Sequence, residues 1–275
     1  MTRALFWSAT AAYLLLVIGF AWNPTPLAQV LAAIGIACAF AQAVMVYGLY
    51  RALAFLAICL TVSFGMENLG VATGLPFGHY HFEVGAALPH IGAIPIIVGP
   101  LWFGMGYFSW MVARILLNKA NAQHSLLKLP ALAALVMTAW DLVMDAPNAT
   151  IAHVWIWHDG GIDFGVPLTN YFGWLLTSWL FFQLFALYLR GHSVQAASPA
   201  LQLAAILFYA ASGLTHVTPW LMGGGGTAAD ASGRVWHVEE IRAGTVLAFA
   251  LTMLPITLLA LWRLSAGVRR AAIMS

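Results

Sequence analysis

The sequence predicts an all-α, polytopic integral membrane protein: a helical bundle of about eight transmembrane helices with both termini cytoplasmic. Mean hydropathy is +0.88, and only 7% of the 275 residues are charged, against about 25% in soluble domains. Apolar runs of spanning length, about 17 to 25 residues, recur along the chain. Lys and Arg concentrate in alternate connections. The length leaves no room for a large soluble module beside the spans, so residues 1–275 are expected to form a single integral membrane domain. The net charge of +2 says little about partners, and no nucleic-acid partner is expected.

The first span is read from Ala4 to Trp22 and not as a signal peptide, because the run is long and ends at Asn23-Pro24 without small residues for cleavage. The second and third, Leu27 to Tyr50 and Ala52 to Met66, are separated by Arg51, and the third ends at Glu67. A loop punctuated by Gly and Pro, Gly70 to Ile91, precedes the fourth, Ile94 to Leu117. The fifth, Leu129 to Met144, ends in acid and is followed by the connection Ala146 to Pro167. Leu168 to Leu189, Ala200 to Met222 and Ile241 to Trp262 complete the set, with the glycine run Gly223 to Gly226 between the last two.

Arg3, Arg51, Arg114, Lys119, Lys128, Arg190, Arg263, Arg269 and Arg270 fall on one side of this arrangement, and only Arg234 and Arg242 on the other. The positive-inside rule makes the first side cytoplasmic. Glu67, Asp141, Asp145, Glu239 and Glu240 then gather at the outer ends of spans, with His79, His81, His153, His158 and His237. Internal repetition is weak; the acid-ended helices at Glu67 and Asp141, each followed by an aromatic loop, share local physics without a matching offset. Cys38 and Cys59 lie inside apolar runs, which suits small buried thiols better than a disulfide.

Four of the nine acidic residues, Asp141, Asp145, Asp159 and Asp163, crowd into the stretch Thr138–Trp174. An acid at bilayer depth costs about 2.5 to 3.5 kcal/mol, which makes function the default explanation. Asp141 and Asp145 are four apart and share one helical face, with Cβ atoms about 5 to 6 Å apart. Like charges that close do not ionise together easily, so the pair is read as an acid beside a base. The bland alternative is a structural pair facing loop water. A divalent-metal or pyrophosphate site is also conceivable for D-x-x-x-D, but no second Asp-rich segment and few outer cations accompany it. Glu67, in Met66-Glu67-Asn68, is read as a proton donor, or else as an acid hydrogen-bonded to loop backbone.

In the loop Gly74 to Phe82, Phe77, Tyr80 and Phe82 stand among Gly74, Pro76 and Gly78; it could fold back as a lid, or form part of an interfacial aromatic belt with Trp155, Trp157 and Trp174. His79-x-His81 is too sparse to define a metal site, and none is expected. Asn170, in Pro167-Leu168-Thr169-Asn170-Tyr171, is placed to position a water or, with Thr169, to cap a helix.

Three ordered segments, E-N-L-G-V-A-T-G-L-P-F-G-H-Y from Glu67, T-A-W-D-L-V-M-D from Thr138 and F-G-V-P-L-T-N-Y-F-G-W from Phe164, resemble the membrane carotenoid hydratases, the family of γ-carotene 1′-hydratase and bisanhydrobacterioruberin hydratase. The resemblance covers roughly residues 63–180. It departs where the family reads W-D-x-x-x-D-P: here Ala146 separates Asp145 from Pro147, so the helix is expected to run one residue further before Pro147 disfavours it.

The resemblance implies cofactor-independent hydration of the terminal double bond of an acyclic carotenoid ψ-end, of the lycopene, γ-carotene or C50 bisanhydrobacterioruberin type. On that reading Asp141, Asp145 and Glu67 form the acid/base set. Asn170 and Tyr80 support it, Trp140 and Trp174 form an aromatic wall, and Phe77, Phe164 and Tyr171 complete the substrate site. The expected partners are the membrane-dissolved carotenoid, water and the lipid bilayer, with other carotenoid-pathway enzymes beside it, in a bacterial inner membrane. A carotenoid cyclase or prenyl-transfer enzyme would use similar carbocation chemistry, and a lipid carrier or proton-coupled transporter would use the acids as a relay.

Overall fold

The computed structural model describes residues 3–20, 24–85, 87–117, 126–192 and 197–274. Trp22 and Asn23, at the expected end of the first span, and Lys119, counted among the cytoplasmic cations, lie outside them. The architecture is an all-α polytopic membrane bundle. Among the described residues, six helical stretches are long and apolar enough to cross a membrane: Leu27–Tyr47, Leu49–Thr73, Lys128–Ile151, Leu168–Gly191, Pro199–Leu221 and Val238–Arg270. Ala4–Phe20 is a shorter apolar helix.

Helices α1 (Arg3–Phe20) and α2 (Pro24–Tyr47) pack together, and α2 ends at Gly48, whose φ of 80° breaks the helix before α3 (Leu49–Thr73) begins. Helix α4 (Val98–Leu116) is the axis of the molecule, buried along most of its length and packed on α2, α3, α5, α7 and α9. Helices α5 (Lys128–Ala146) and α6 (Leu168–Tyr188) form the most extensive pair, and α7 (Pro199–Leu221) closes against α1, α4 and α8.

Several boundaries differ from the sequence reading. Helix α3 does not stop at Met66: nothing between Glu67 and Thr73 breaks it, and the left-handed Gly74, whose N–H reaches the Gly70 carbonyl at 2.7 Å, ends it. Glu67 is therefore inside a helix. The fourth helix starts at Val98, not Ile94, because Ile94–Pro95 (β3) pairs with His90–Ile91 (β2) in a hairpin. Helix α5 does include Ala146, as expected, but Pro147 does not end the helical path. The backbone widens into a π-helical turn, Pro147–Ile151, closed by the Ala152 N–H on the Pro147 carbonyl at 3.0 Å. The last span is two helices, α8 (Val238–Leu251) and α9 (Met253–Met274). Pro255 has no N–H for the Leu251 carbonyl, so the ladder fails at this step.

Among the described residues, two further ribbons lie in the connections after α3, α5 and α7. Strand β1 (Tyr80–Phe82) pairs antiparallel with β4 (Trp155–Trp157), matching Tyr80 to Trp157, His81 to Ile156 and Phe82 to Trp155. Strand β5 (Thr227–Ala229) pairs with β6 (Val235–His237). The β1–β4 ribbon joins the connection after α3 to the one after α5. The loop at Gly74–Phe82 is thus not a lid: Phe77 is 2% exposed and Tyr80 4%, so it is a plug driven into the bundle. The apolar rings gain more from burial there, about 25 cal/mol per Å², than they would from lying over a cavity.

Candidate active site

One turn of α5 brings Asp141 and Asp145 to the same side, and both are buried, 0% and 1% exposed. Facing them from the first turn of α6 is Asn170, also 1% exposed. Its amide nitrogen lies 3.1 Å from Asp141 Oδ2 and donates a second, short bond to Asp145 Oδ2. Two carboxyl groups leave the amide only one useful orientation, with its NH2 between them. Asn170 does not cap α6; Pro167 occupies that place in extended backbone, and Thr169 Oγ1 donates to the Phe77 carbonyl at 2.8 Å. The other oxygen of Asp145 accepts from the Trp155 indole N–H at 2.8 Å. Asp141 Oδ1 is sealed from solvent and meets no donor among the described residues.

Glu67, buried on α3, accepts one bond at each oxygen. Trp102 Nε1 on α4 donates to Oε1 at 2.7 Å, and the Tyr80 hydroxyl donates to Oε2. Its partners are thus side chains of a helix and of the plug, and not loop backbone alone. Burial first, then the Glu67 carboxylate and its hydrogen bond, then Asp145, hold the Tyr80 phenol well above the usual tyrosine range. Tyr80 accordingly keeps its proton and donates it. Hydrogen bonds to charged groups contribute about 1.5 to 3 kcal/mol each, enough to hold these side chains in one arrangement.

The aromatic residues form a continuous wall beside the acids. Trp174 stacks on Trp102 with ring centroids 3.9 Å apart and 16° between planes, and Trp140 meets Trp174 edge-on at 5.8 Å. Phe77 abuts Tyr80 at 6.1 Å and Trp102 at 6.5 Å, and Tyr80 leans on Trp157 at 4.8 Å. Residues named from the sequence thus fall into two groups. Glu67, Phe77, Tyr80, Trp140, Asp141, Asp145, Asn170 and Trp174 share this network through direct contacts. Tyr171 turns to Asp163, to which its hydroxyl donates a short bond. Phe164, at φ 50°, packs edge-on against Trp236 at 5.3 Å, and its carbonyl accepts from Thr150. These two belong to the outer wrapping of the site.

Trp102 and Trp155 are the members that sequence reasoning missed. Trp102 sits in an apolar run without any polar neighbour to mark it, and Trp155 reads as an interfacial tryptophan. The alternation Trp155-Ile156-Trp157 was the one available signal, since a strand period puts both indoles on one face. The opposite face of the ribbon carries the histidines. His79 Nδ1 lies 3.0 Å from Asp159 Oδ2, His81 Nδ1 lies 2.6 Å from His158 Nε2, and His81 Nε2 lies 2.9 Å from Glu83 Oε1. They are exposed and point away from the acids.

Carboxyl groups packed this way, under indole faces and away from bulk water, are equipped to move protons to and from an apolar molecule and to stabilise a cation beside the rings. Comparison with known proteins identifies the family. The family model described as carotenoid biosynthesis protein matches residues 25–225, which include all three acids and Asn170. Bisanhydrobacterioruberin hydratase of Haloarcula japonica is 31% identical over 121 residues, which are 44% of this chain and 40% of that protein. The match therefore spans well under half the length of that relative. No solved structure matches.

Proposed function

The chain belongs to the carotenoid biosynthesis protein family, and from that footing we propose that it is a carotenoid 1,2-hydratase acting on an acyclic ψ-end. The observation that carries the reading is the Asp141–Asn170–Asp145 bridge, buried beside the Trp140–Trp174–Trp102 wall. Hydration of an isopropylidene end adds a proton to C2, leaves a tertiary cation at C1, and captures that cation with the oxygen of water, whose extra proton returns to a carboxylate. The sum is redox-neutral and balances with water alone. Positioned acid and base groups contribute about 10² to 10⁴-fold each to such a step. An indole face contributes about 0.5 to 2 kcal/mol toward the cation.

The substrate is long, apolar and dissolved in the bilayer, which suits a site at the outer ends of α3, α5 and α6. With both termini cytoplasmic, in a bacterial inner membrane, that end faces the periplasmic interface, where water is at hand. A relative named as a bisanhydrobacterioruberin hydratase supports hydration over cyclisation or prenyl transfer. Clustering of the acids at one end, not at the midplane, speaks against a transporter.

Expression in hosts that accumulate lycopene or γ-carotene tests the reading. The expected pigment is heavier by one water, and unchanged pigment with every acyclic substrate defeats the proposal. A mass-neutral product would mean cyclisation, and a gain of C5 would mean prenyl transfer.

A further inference from the structure

The hydrogen-bond donors around the three carboxyl groups are distributed unequally, and from that inequality we infer that Asp141 delivers the proton to the double bond while Asp145 activates the water. The assignment rests on the hydratase reading above. An indole N–H and an amide NH2 can only donate, and an ionised carboxylate can only accept. Asp145 receives such a donor at each oxygen, from Trp155 at 2.8 Å and from Asn170. Glu67 also has a donor at each oxygen, though one of them, the Tyr80 hydroxyl, can accept as well as donate. The Asp145 environment is built for an anion.

Asp141 is different. Asn170 serves its Oδ2 at 3.1 Å, while its Oδ1 is buried with no donor among the described residues. An anionic oxygen left bare in that setting costs more than a neutral hydroxyl there, so the proton of the cluster resides on Asp141 Oδ1. Asp141 Oδ1 has no hydrogen-bond partner among the described residues, which leaves that proton available for transfer. Trp155 and Asn170 are positioning residues: they keep Asp145 in its accepting state and hold the two carboxyls on either side of one amide.

The step balances as follows. The π electrons between C1 and C2 take the Asp141 proton, forming the C2–H bond and leaving Asp141 ionised and C1 cationic. A water oxygen bonds to C1 as its proton passes to Asp145. The proton on Asp145 then returns to Asp141, and the net change is one water added.

The test uses the full-length protein in detergent, with lycopene as probe in D2O, and mass spectrometry after back-washing in H2O so that only carbon-bound deuterium remains. Wild type is expected to give an alcohol carrying one such deuterium. Asp145→Asn should lower hydration about a hundredfold or more while the recovered hydrocarbon gains deuterium, because protonation at C2 persists and the cation collapses by losing a proton. Trp155→Phe should likewise shift the balance from hydration toward exchange. Asp141→Asn should lose both hydration and exchange, and Asp141→Glu should recover exchange, which a variant that merely failed to fold would not. Deuterium gained by Asp141→Asn, or no exchange in Asp145→Asn beside an active wild type, overturns the assignment. A wild type that hydrates no acyclic carotenoid overturns the hydratase reading instead.

Discussion

Phe77 is clasped by two glycines from different helices. A methyl group on Gly173 would fall 2.4 Å from Phe77 Cδ1, and one on Gly70 would fall 2.7 Å from Phe77 Cδ2. Phe77 is a fully buried ring and cannot step aside, so Gly173→Ala is expected to destabilise the protein by about 1 to 3 kcal/mol, the usual range for overpacking. Pushing Phe77 also displaces Tyr80 from Glu67, and hydration should fall with stability. Thermal unfolding in detergent, run beside the pigment assay, measures both. Asp230, on the β5–β6 hairpin outside the spans, offers a pH test. Burial opposes its ionisation, but bonds from Ser232, the Trp236 indole and the backbone of Arg234 and Ser232 outweigh it and hold the carboxyl below its ordinary 3.8. A depressed carboxyl contributes stability above the unfolded-state value and loses it as pH falls through the folded one. The hairpin should therefore loosen only below about pH 3.8, seen as a change in Trp236 fluorescence, and Asp230→Asn should remove that acid-dependent step. At this scale the acids were legible because a helix places residues four apart on one face. The roles of Trp102 and Trp155 were not, since a tryptophan near a membrane interface has a sufficient reason to be there without a hydrogen-bond duty.

Among elements, the apolar runs located the long helices, and their ends were the less readable part. Apolarity says where a helix enters lipid, while its termination depends on Gly74 after α3, on a β-bridge before α4 and on Pro255 between α8 and α9. The β1–β4 ribbon was out of reach for a stronger reason. Its strands are three residues each and lie more than seventy positions apart, so no local pattern announces their pairing. It is testable directly: His81 and Ile156 are cross-strand partners on the outward face, within the Cα separation a disulfide spans. Oxidation of the double variant His81→Cys, Ile156→Cys should link the two loops in one chain, detected as a cross-linked peptide after proteolysis. Cys38 and Cys59 are buried and should stay reduced, and failure to link would count against the ribbon.

For the whole molecule, the asymmetry of Lys and Arg predicts an orientation that fusions can check. A fluorescent reporter at the C-terminus should light up and alkaline phosphatase at the same place should stay inactive; the reverse would put the acids on the cytoplasmic side. The contacts of Asn170 carry a different consequence, for synthesis. A ribosome releases Glu67, Asp141 and Asp145 into the translocon before Asn170 emerges, each acid carrying a cost that reaches about 2.5 to 3.5 kcal/mol at the bilayer centre and is smaller toward the interface. Helix α3 finds the donors for Glu67 in Tyr80 and Trp102 before α5 emerges, whereas α5 must wait as a reluctant span until α6 arrives to complete the bridge between the aspartates. The arrival of α6 is thus at once the step that anchors α5 in lipid and the moment at which the reaction centre first exists.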